Sequence, residues 1–187
     1  MCVKPISGLS FRTAKESPSG RYGLAILSRF PIHDLNCGTL PAAFAAKPVE
    51  NRGVMMARVA SPLGHVRVLN THLGLRAKDR KLQAAALAGS RWVCNDRASN
   101  VPVILCGDFN AGPGSIVYKT LSRHLADIQK VYKNRRYPRP TFASWLPVRR
   151  IDHIFISRHF SVKDVKVPMD YETRMVSDHL PLYGEIA

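Results

Sequence analysis

The chain has 187 residues, 45% of them hydrophobic, which is enough for one domain with a buried core and excludes a disordered tail. Twenty-eight Lys and Arg against thirteen Asp and Glu leave a formal charge of +15, which favours polyanions such as nucleic acid or acidic lipid head groups, although a basic surface also serves solubility alone. Cys2, Cys37, Cys94 and Cys106 form no C-x-x-C pair, and no run approaches the ~20 apolar residues of a membrane span, so neither a cysteine zinc site, a disulfide framework nor a transmembrane helix is indicated.

With no apolar leader in MCVKPISGLS, the expected location is the cytoplasm. Tyr22 to Ser28 (YGLAILS) predicts a short buried strand, followed by a loop rich in Ala and Pro as far as Pro48. Gly53 to Ala60 and His65 to Thr71 flank Ser-Pro-Leu-Gly, a turn between antiparallel strands, and the second strand delivers Asn70, Thr71 and His72 at its end. Between Lys78 and Asn95, Leu82, Ala85, Ala86, Gly89 and Val93 recur at helical spacing, which predicts an amphipathic helix with Trp92 in its core.

Val101 to Cys106 (VPVILC) is a buried strand that stops at Gly107-Asp108-Phe109-Asn110, so a polar pair emerges where the strand ends, and Cys106 packs in the core. Ser115 caps a helix carrying Ile116, Val117, Leu121 and Leu125, and Lys130 to Pro140 is a basic exposed loop. Arg150 to Ser157 (RIDHIFIS), Val162 to Val167 and Leu182 to Ile186 read as strands, the last preceded by Asp178-His179. The fold class is therefore a layered α/β or α+β domain over residues 1–187, with polar groups gathered at strand ends.

Those polar groups suit phosphate-ester hydrolysis. Asp108 with Asn110, Asp152 with His153, and Asp178 with His179 combine carboxylate with amide or imidazole. A hard cation such as Mg²⁺ takes oxygen ligands, so one or two carboxylates and the substrate phosphate suffice to hold it. Carboxylate or imidazole then takes a proton from the attacking water. Alone, each element has a plainer role: Gly-Asp-Phe-Asn is a turn signal, Asp178 a cap, His72 a structural imidazole, and Asp152 beside Arg149 and Arg150 a surface ion pair. His153 points to the opposite sheet face from Asp152 and is structural.

In chain order, YGLAILSR (Tyr22 to Arg29), NTHL (Asn70 to Leu73), GDFN (Gly107 to Asn110), RIDHI (Arg150 to Ile154) and SDHLP (Ser177 to Pro181) resemble the endonuclease/exonuclease/phosphatase superfamily, which includes DNase I-like nucleases, sphingomyelinases and inositol-polyphosphate phosphatases. The resemblance implies a four-layer α/β/β/α sandwich of two mixed sheets flanked by helices, and a Mg²⁺- or Mn²⁺-dependent phosphodiesterase. It implies that Asp108 orients or deprotonates the nucleophilic water, that Asn110 binds a phosphate oxygen, and that Asp178 is a metal-side carboxylate alongside Asp108. His179 contacts the scissile phosphate with Asp152 holding its tautomer, and His72 is a second phosphate-contacting imidazole that serves as general acid. Arg52 and Asn70 are further substrate-binding candidates.

The family pattern normally begins earlier, with a strand ending in Asn and another ending in a Gln-Glu pair. Against that pattern the chain is N-terminally truncated by about two strands and two helices, for which a start codon placed too late is the favoured explanation over a shortened relative or a partner segment or oligomer covering the gap. Nucleic acid is the favoured substrate, since phosphate neutralisation by Lys and Arg drives sequence-independent binding. The alternatives are a phospholipid or phosphoinositide phosphodiesterase acting at anionic lipid, and a non-catalytic remnant that binds phosphate-rich ligands.

Overall fold

Alternating apolar residues draw six segments of the chain into one mixed sheet. The computed structural model describes residues 11–12, 23–44, 50–62, 64–94, 100–133 and 138–187. A short antiparallel pair, β1 (Phe11–Arg12) and β2 (Gly23–Leu24), comes first. There follow β3 (Ile32–Thr39), β4 (Gly53–Ser61), β5 (Gly64–His72), α1 (Ala77–Ala88), β6 (Val103–Asp108), α2 (Ile116–Leu121), β7 (Ala126–Asp127), α3 (Ile128–Val131) and β8 (Asp152–Ile156). In space the six-stranded sheet is ordered β3-β4-β5-β6-β8-β7. The chain closes with β9 (Val162–Lys166), α4 (Tyr171–Val176) and β10 (Tyr183–Ile186), in which β9 and β10 form a small antiparallel second sheet.

The two faces of the large sheet are covered differently. Leu69, Leu105 and Phe155 point to one side, where they pack with Ala84 and Leu87 of α1 and Val117 and Leu121 of α2. Ile104, Ile154 and Ile156 point to the other, against Val162 and Val165 of β9, Ile186 of β10 and Ile128 of α3. This is the mixed α/β class expected from the sequence, with α1 and α2 on one face of the main sheet and the second sheet with α3 on the other.

Three expected segments differ from the sequence reading, β7, α3 and α4 were not expected at all, and α3 takes the first residues of the loop expected over Lys130 to Pro140. Of the strand expected over Tyr22 to Ser28, only Gly23–Leu24 pairs, Leu27 is 80% exposed, and Tyr22 lies outside the described residues. Conversely, the expected loop before Pro48 contains the eight-residue strand β3. Its Asp34, Asn36 and Gly38 disfavour a strand, but an edge position tolerates them: among the described residues β3 pairs with β4 alone, through an irregularity between His33 and Asn36 where Asp34 takes φ +45°.

Helix α1 ends at Ala88 with Gly89 as its cap, short of Asn95, and buries Asp79, Gln83, Ala84 and Leu87 while Leu82 faces solvent. The inversion has a physical cause in the connecting loops. The Asp79 carboxylate accepts from the Ala43 amide (2.7 Å) and from Arg76 Nε (2.6 Å), and Gln83 Oε1 accepts from the Gly74 amide (2.8 Å). The polar stripe is buried because buried loop backbone needs partners.

Gly107 is the tightest point of the sheet. Its φ is +140°, and a Cβ there would lie 1.8 Å from the Thr71 carbonyl oxygen on β5. We expect Gly107→Ala to destabilise the fold by about 3 kcal/mol or more, read as a lowered urea midpoint, because both the backbone strain and the collision must be relieved.

Candidate active site

Sheet register assembles the site. β5 runs parallel to β6 and β6 antiparallel to β8, with His72 opposite Asp108 and Asp108 opposite Asp152. Residues in register on adjacent strands point to the same face. Three polar side chains from distant parts of the chain therefore stand in one row at one end of the sheet. The C-terminal ends of β5 and β6 supply two of them, and the start of β8 the third.

Asp108 is at the centre. Its Oδ2 lies 3.2 Å from His72 Nε2 and 4.0 Å from His179 Nε2, and its Oδ1 accepts the Asn110 backbone N–H at 2.7 Å. Burial works against ionisation of this carboxyl, but the His72 hydrogen bond, the Asn110 N–H and the two imidazoles outweigh it and hold the group below the usual carboxylate range. Asn110, at φ +48°, turns its side chain back so that Nδ2 donates to the Leu73 carbonyl (2.9 Å) and sits 3.2 Å from His72 Nε2. The Asn110 backbone N–H and both imidazoles thus face one carboxylate, while the Asn110 side chain lies against His72.

Asp152 fixes His179. The imidazole Nδ1 donates to Asp152 Oδ2 at 2.8 Å, which leaves Nε2 directed toward Asp108. Burial disfavours the imidazolium, yet the Asp152 bond and the charges of Asp152, Asp108 and Asp178 prevail and raise the His179 pKa. The segment carrying His179 is clamped by the turn after Thr141: Phe142 bridges to His179, Leu180 N donates to the Thr141 carbonyl (2.7 Å), and Ser144 N donates to the Asp178 carbonyl (2.7 Å). The Phe142 ring lies 4.8 Å from the imidazole, centroid to centroid.

A donor set for a cation results. One ligand atom each from Asp108, Asp152 and His179 all lie within 4.8 Å of one another. Two carboxylates and one imidazole are groups that can ligate a divalent cation. Asp178, the other carboxylate expected at the metal, is exposed beside this trio and outside it.

The remaining sequence candidates stand further back. Arg52 is buried at the start of β4, at the His72 end of the sheet, with its guanidinium on Glu50 (2.6 Å). Asn70 donates from Nδ2 to the Ala25 carbonyl (2.9 Å), tying the 25–28 segment to β5. Arg150 pairs with Asp127 (2.6 Å), a residue the sequence reading did not single out. His153 is buried on the helix-covered face, donating from Nε2 to the Ala111 carbonyl (2.9 Å) with Nδ1 3.3 Å from the same Asp127 carboxylate. It joins the Asp108–Asn110 loop to the strand of Asp152. The available sequence signal was an acid, Asp127, within the apolar run from Leu125 to Ile128.

Comparison with known proteins gives a consistent family. The model of the Endonuclease/Exonuclease/phosphatase family matches residues 5–179. The uncharacterised protein YbhP of Escherichia coli K12 is 32% identical over 176 residues, covering 90% of this chain and 64% of YbhP. This chain thus spans less than two thirds of that relative. Among solved structures, the mannosyl-6-phosphatase Bt3783 of Bacteroides thetaiotaomicron superposes with TM-score 0.71 at 25% identity, over 84% of this chain and 67% of its own. Danio rerio TDP2, complexed with a single-stranded DNA product, superposes with TM-score 0.72 at 17% identity, over 97% and 77%.

The Asp127 network yields a stability prediction. Burial opposes ionisation of Asp127, but its His153 hydrogen bond and the Arg150 charge hold the carboxyl below its ordinary range. Its contribution is therefore complete above the unfolded pKa of about 3.9 and is lost as pH falls through the lower folded value. Asp127→Asn, which strands a buried guanidinium, is expected to cost about 3–5 kcal/mol at neutral pH. Urea unfolding of both proteins from neutral to acid pH checks this, and the gap should narrow once the pH passes below the carboxylate range.

Proposed function

The chain belongs to the endonuclease/exonuclease/phosphatase family, and on that premise we propose that it hydrolyses a phosphodiester with water and a divalent cation, Mg²⁺ or Mn²⁺. The family and its phosphatase and TDP2 neighbours support phosphoesterase chemistry in general. The observation that carries the finer reading is the single row of His72, Asp108 and Asp152 with His179 held at 2.8 Å from Asp152.

In this reading the side chains divide the chemistry as follows. Asp108, kept ionised, orients the attacking water and accepts its proton. The Asn110 amide donates to a phosphoryl oxygen. His179, with Nδ1 committed to Asp152, presents Nε2 to the phosphate, and the Asp152 carboxylate favours its charged form. His72 delivers a proton to the leaving oxygen. Asp108 would hold the cation, with Asp152 or the exposed Asp178 as second carboxylate. When bound, the cation offsets charge on the phosphoryl oxygens and makes water more acidic. Arg52 and Asn70 support substrate from the rim, Arg52 as a guanidinium at the His72 end of the sheet. The net charge of +15 fits a polyanionic substrate, whether nucleic acid or anionic lipid.

Turnover of bis-nitrophenyl phosphate with Mg²⁺, Mn²⁺ and chelator tests the reading. Asp108→Ala and His179→Ala should each lower kcat/KM about 100-fold or more, and chelation should abolish activity. If Asp178 is the second carboxylate, Asp178→Ala raises the Mg²⁺ concentration needed for half-maximal rate. Variants at residues 108 and 179 as fast as the parent would refute the site. Phosphate binding without turnover of any ester would favour a ligand-binding role instead.

A further inference from the structure

A second opening lies at the far end of the main sheet from the row of His72, Asp108 and Asp152. Strand β8 runs from Asp152 at the row to Ile156, about 13 Å further along, where Ala126 of β7 pairs with it. Between these strand ends, the end of α3 and the start of β9 lies a cavity of about 490 Å³, a size typical of small-molecule sites. Ala126, Ile156, Phe160 and Val162 give it an apolar wall, continuous with the cluster between the two sheets. The exposed part of its lining is cationic: Lys133, Arg158 and Lys163.

No acidic side chain lines this cavity. The acids flanking it in the chain are engaged elsewhere: Asp127 by Arg150 (2.6 Å), and Asp164 by Lys166 (2.8 Å) and the Tyr132 hydroxyl (3.0 Å). Among the described residues none of Lys133, Arg158 and Lys163 forms an ion pair. The serine hydroxyls are also committed, Ser161 as donor to the Ala187 carbonyl (3.3 Å) and Ser157 as acceptor from the Val103 N–H (2.9 Å). Three like charges around one opening repel one another, and an anion relieves them. The groups left to a ligand are thus three cations beside an apolar wall. A phosphomonoester dianion engages several cationic donors at once, where a carboxylate brings a single charge. Inorganic phosphate would leave the wall wet, and a sugar phosphate would press hydroxyls against it. A nucleobase lays a flat, largely apolar face there, with the Phe160 ring to stack on.

We propose that this cavity is a second, non-catalytic site that binds a nucleoside monophosphate, its base on the apolar wall and its phosphate on Lys133, Arg158 and Lys163. The cavity shares no residue with the row at the other end of the sheet, so the inference stands apart from the phosphoesterase reading. A bound nucleotide bridges the end of α3, at Lys133, to β9, at Lys163. Because those contacts exist only in the folded chain, the ligand stabilises the fold in proportion to its occupancy.

Calorimetric titration of the full chain with AMP, in the presence of a chelator that suppresses turnover, tests the site. One AMP should bind, and the thermal unfolding midpoint should rise as AMP is added. Binding should persist unchanged in Asp108→Ala with His179→Ala, which removes the row's own phosphate-facing groups. Arg158→Gln with Lys163→Gln, both at exposed positions, should weaken it about tenfold or more by removing two charge-assisted contacts. Lys78→Gln with Lys81→Gln, exposed cations on α1, should leave it as it is. If the first charge pair cannot be produced folded, Lys133→Gln is read in its place. A full chain that binds no AMP at millimolar concentration overturns the proposal, as does binding that is lost with Asp108 and His179 or that survives removal of the cavity's cations. Inorganic phosphate or glucose 6-phosphate binding as tightly as AMP refutes the role given to the base, and adenosine binding as tightly refutes that given to the phosphate.

Discussion

Everything at the site depends on the backbone approach of β5 to β6 at Gly107. The parallel ladder places Thr71 beside Gly107 and His72 beside Asp108, and the antiparallel ladder places His153 beside Gly107 and Asp152 beside Asp108. Register in a sheet moves by whole residues, and a slip of one residue would turn every side chain to the other face. The row His72, Asp108, Asp152 is therefore inherited from strand pairing. A glycine is needed where the Thr71 carbonyl leaves no room for a Cβ. That position cannot be filled without moving the neighbouring functional residue.

Alternation along β8 divides labour between adjacent residues. Asp152 faces the site and positions His179; His153 faces the helix-covered core and bonds Ala111 and Asp127. Ala111 immediately follows Asn110, so the buried imidazole pins the loop that carries the amide to the strand that carries the carboxylate. Arg150 and the N-terminal amide of α3 close this network on Asp127. A fully desolvated charge cluster is costly unless each member finds partners, and a site that needs its loops fixed to fractions of an ångström is where such a cost is repaid in rigidity.

How much of this was legible in the sequence follows from the range of each interaction. The strand stop at Gly107-Asp108 and the opposite orientations of Asp152 and His153 were readable, because they rest on local apolar runs and on period two. Strand β3 was not, since a paired edge can carry Asp34, Asn36 and Gly38, whose propensities argue for a loop. The buried stripe of α1 was inverted because Asp79 and Gln83 answer backbone groups at Ala43 and Gly74, contacts that exist only once the loops have folded back. The role of Asp127 was equally hidden, as Arg150 is its partner only across the sheet. The resemblance to a family placed the site residues together; the fold supplies the distances between them.

The charge balance explains why so few acids can gather in one place. Among thirteen acidic residues set against twenty-eight basic ones, Asp108, Asp152 and Asp178 are close enough to His179 for all three to raise its pKa. Like charges at such separations repel one another, and the repulsion is answered locally: His72 and the Asn110 amide hold Asp108, and His179 holds Asp152. At longer range the cationic excess has the opposite effect on an incoming ester, since a potential summed over many Lys and Arg draws the phosphate in, while the inner carboxylates act only within a Debye length of the mouth. The site thus joins a positive long-range field to a negative inner surface. Under the proposed phosphoesterase reading, the long-range field favours the anionic ester, and only the inner carboxylates favour a cation.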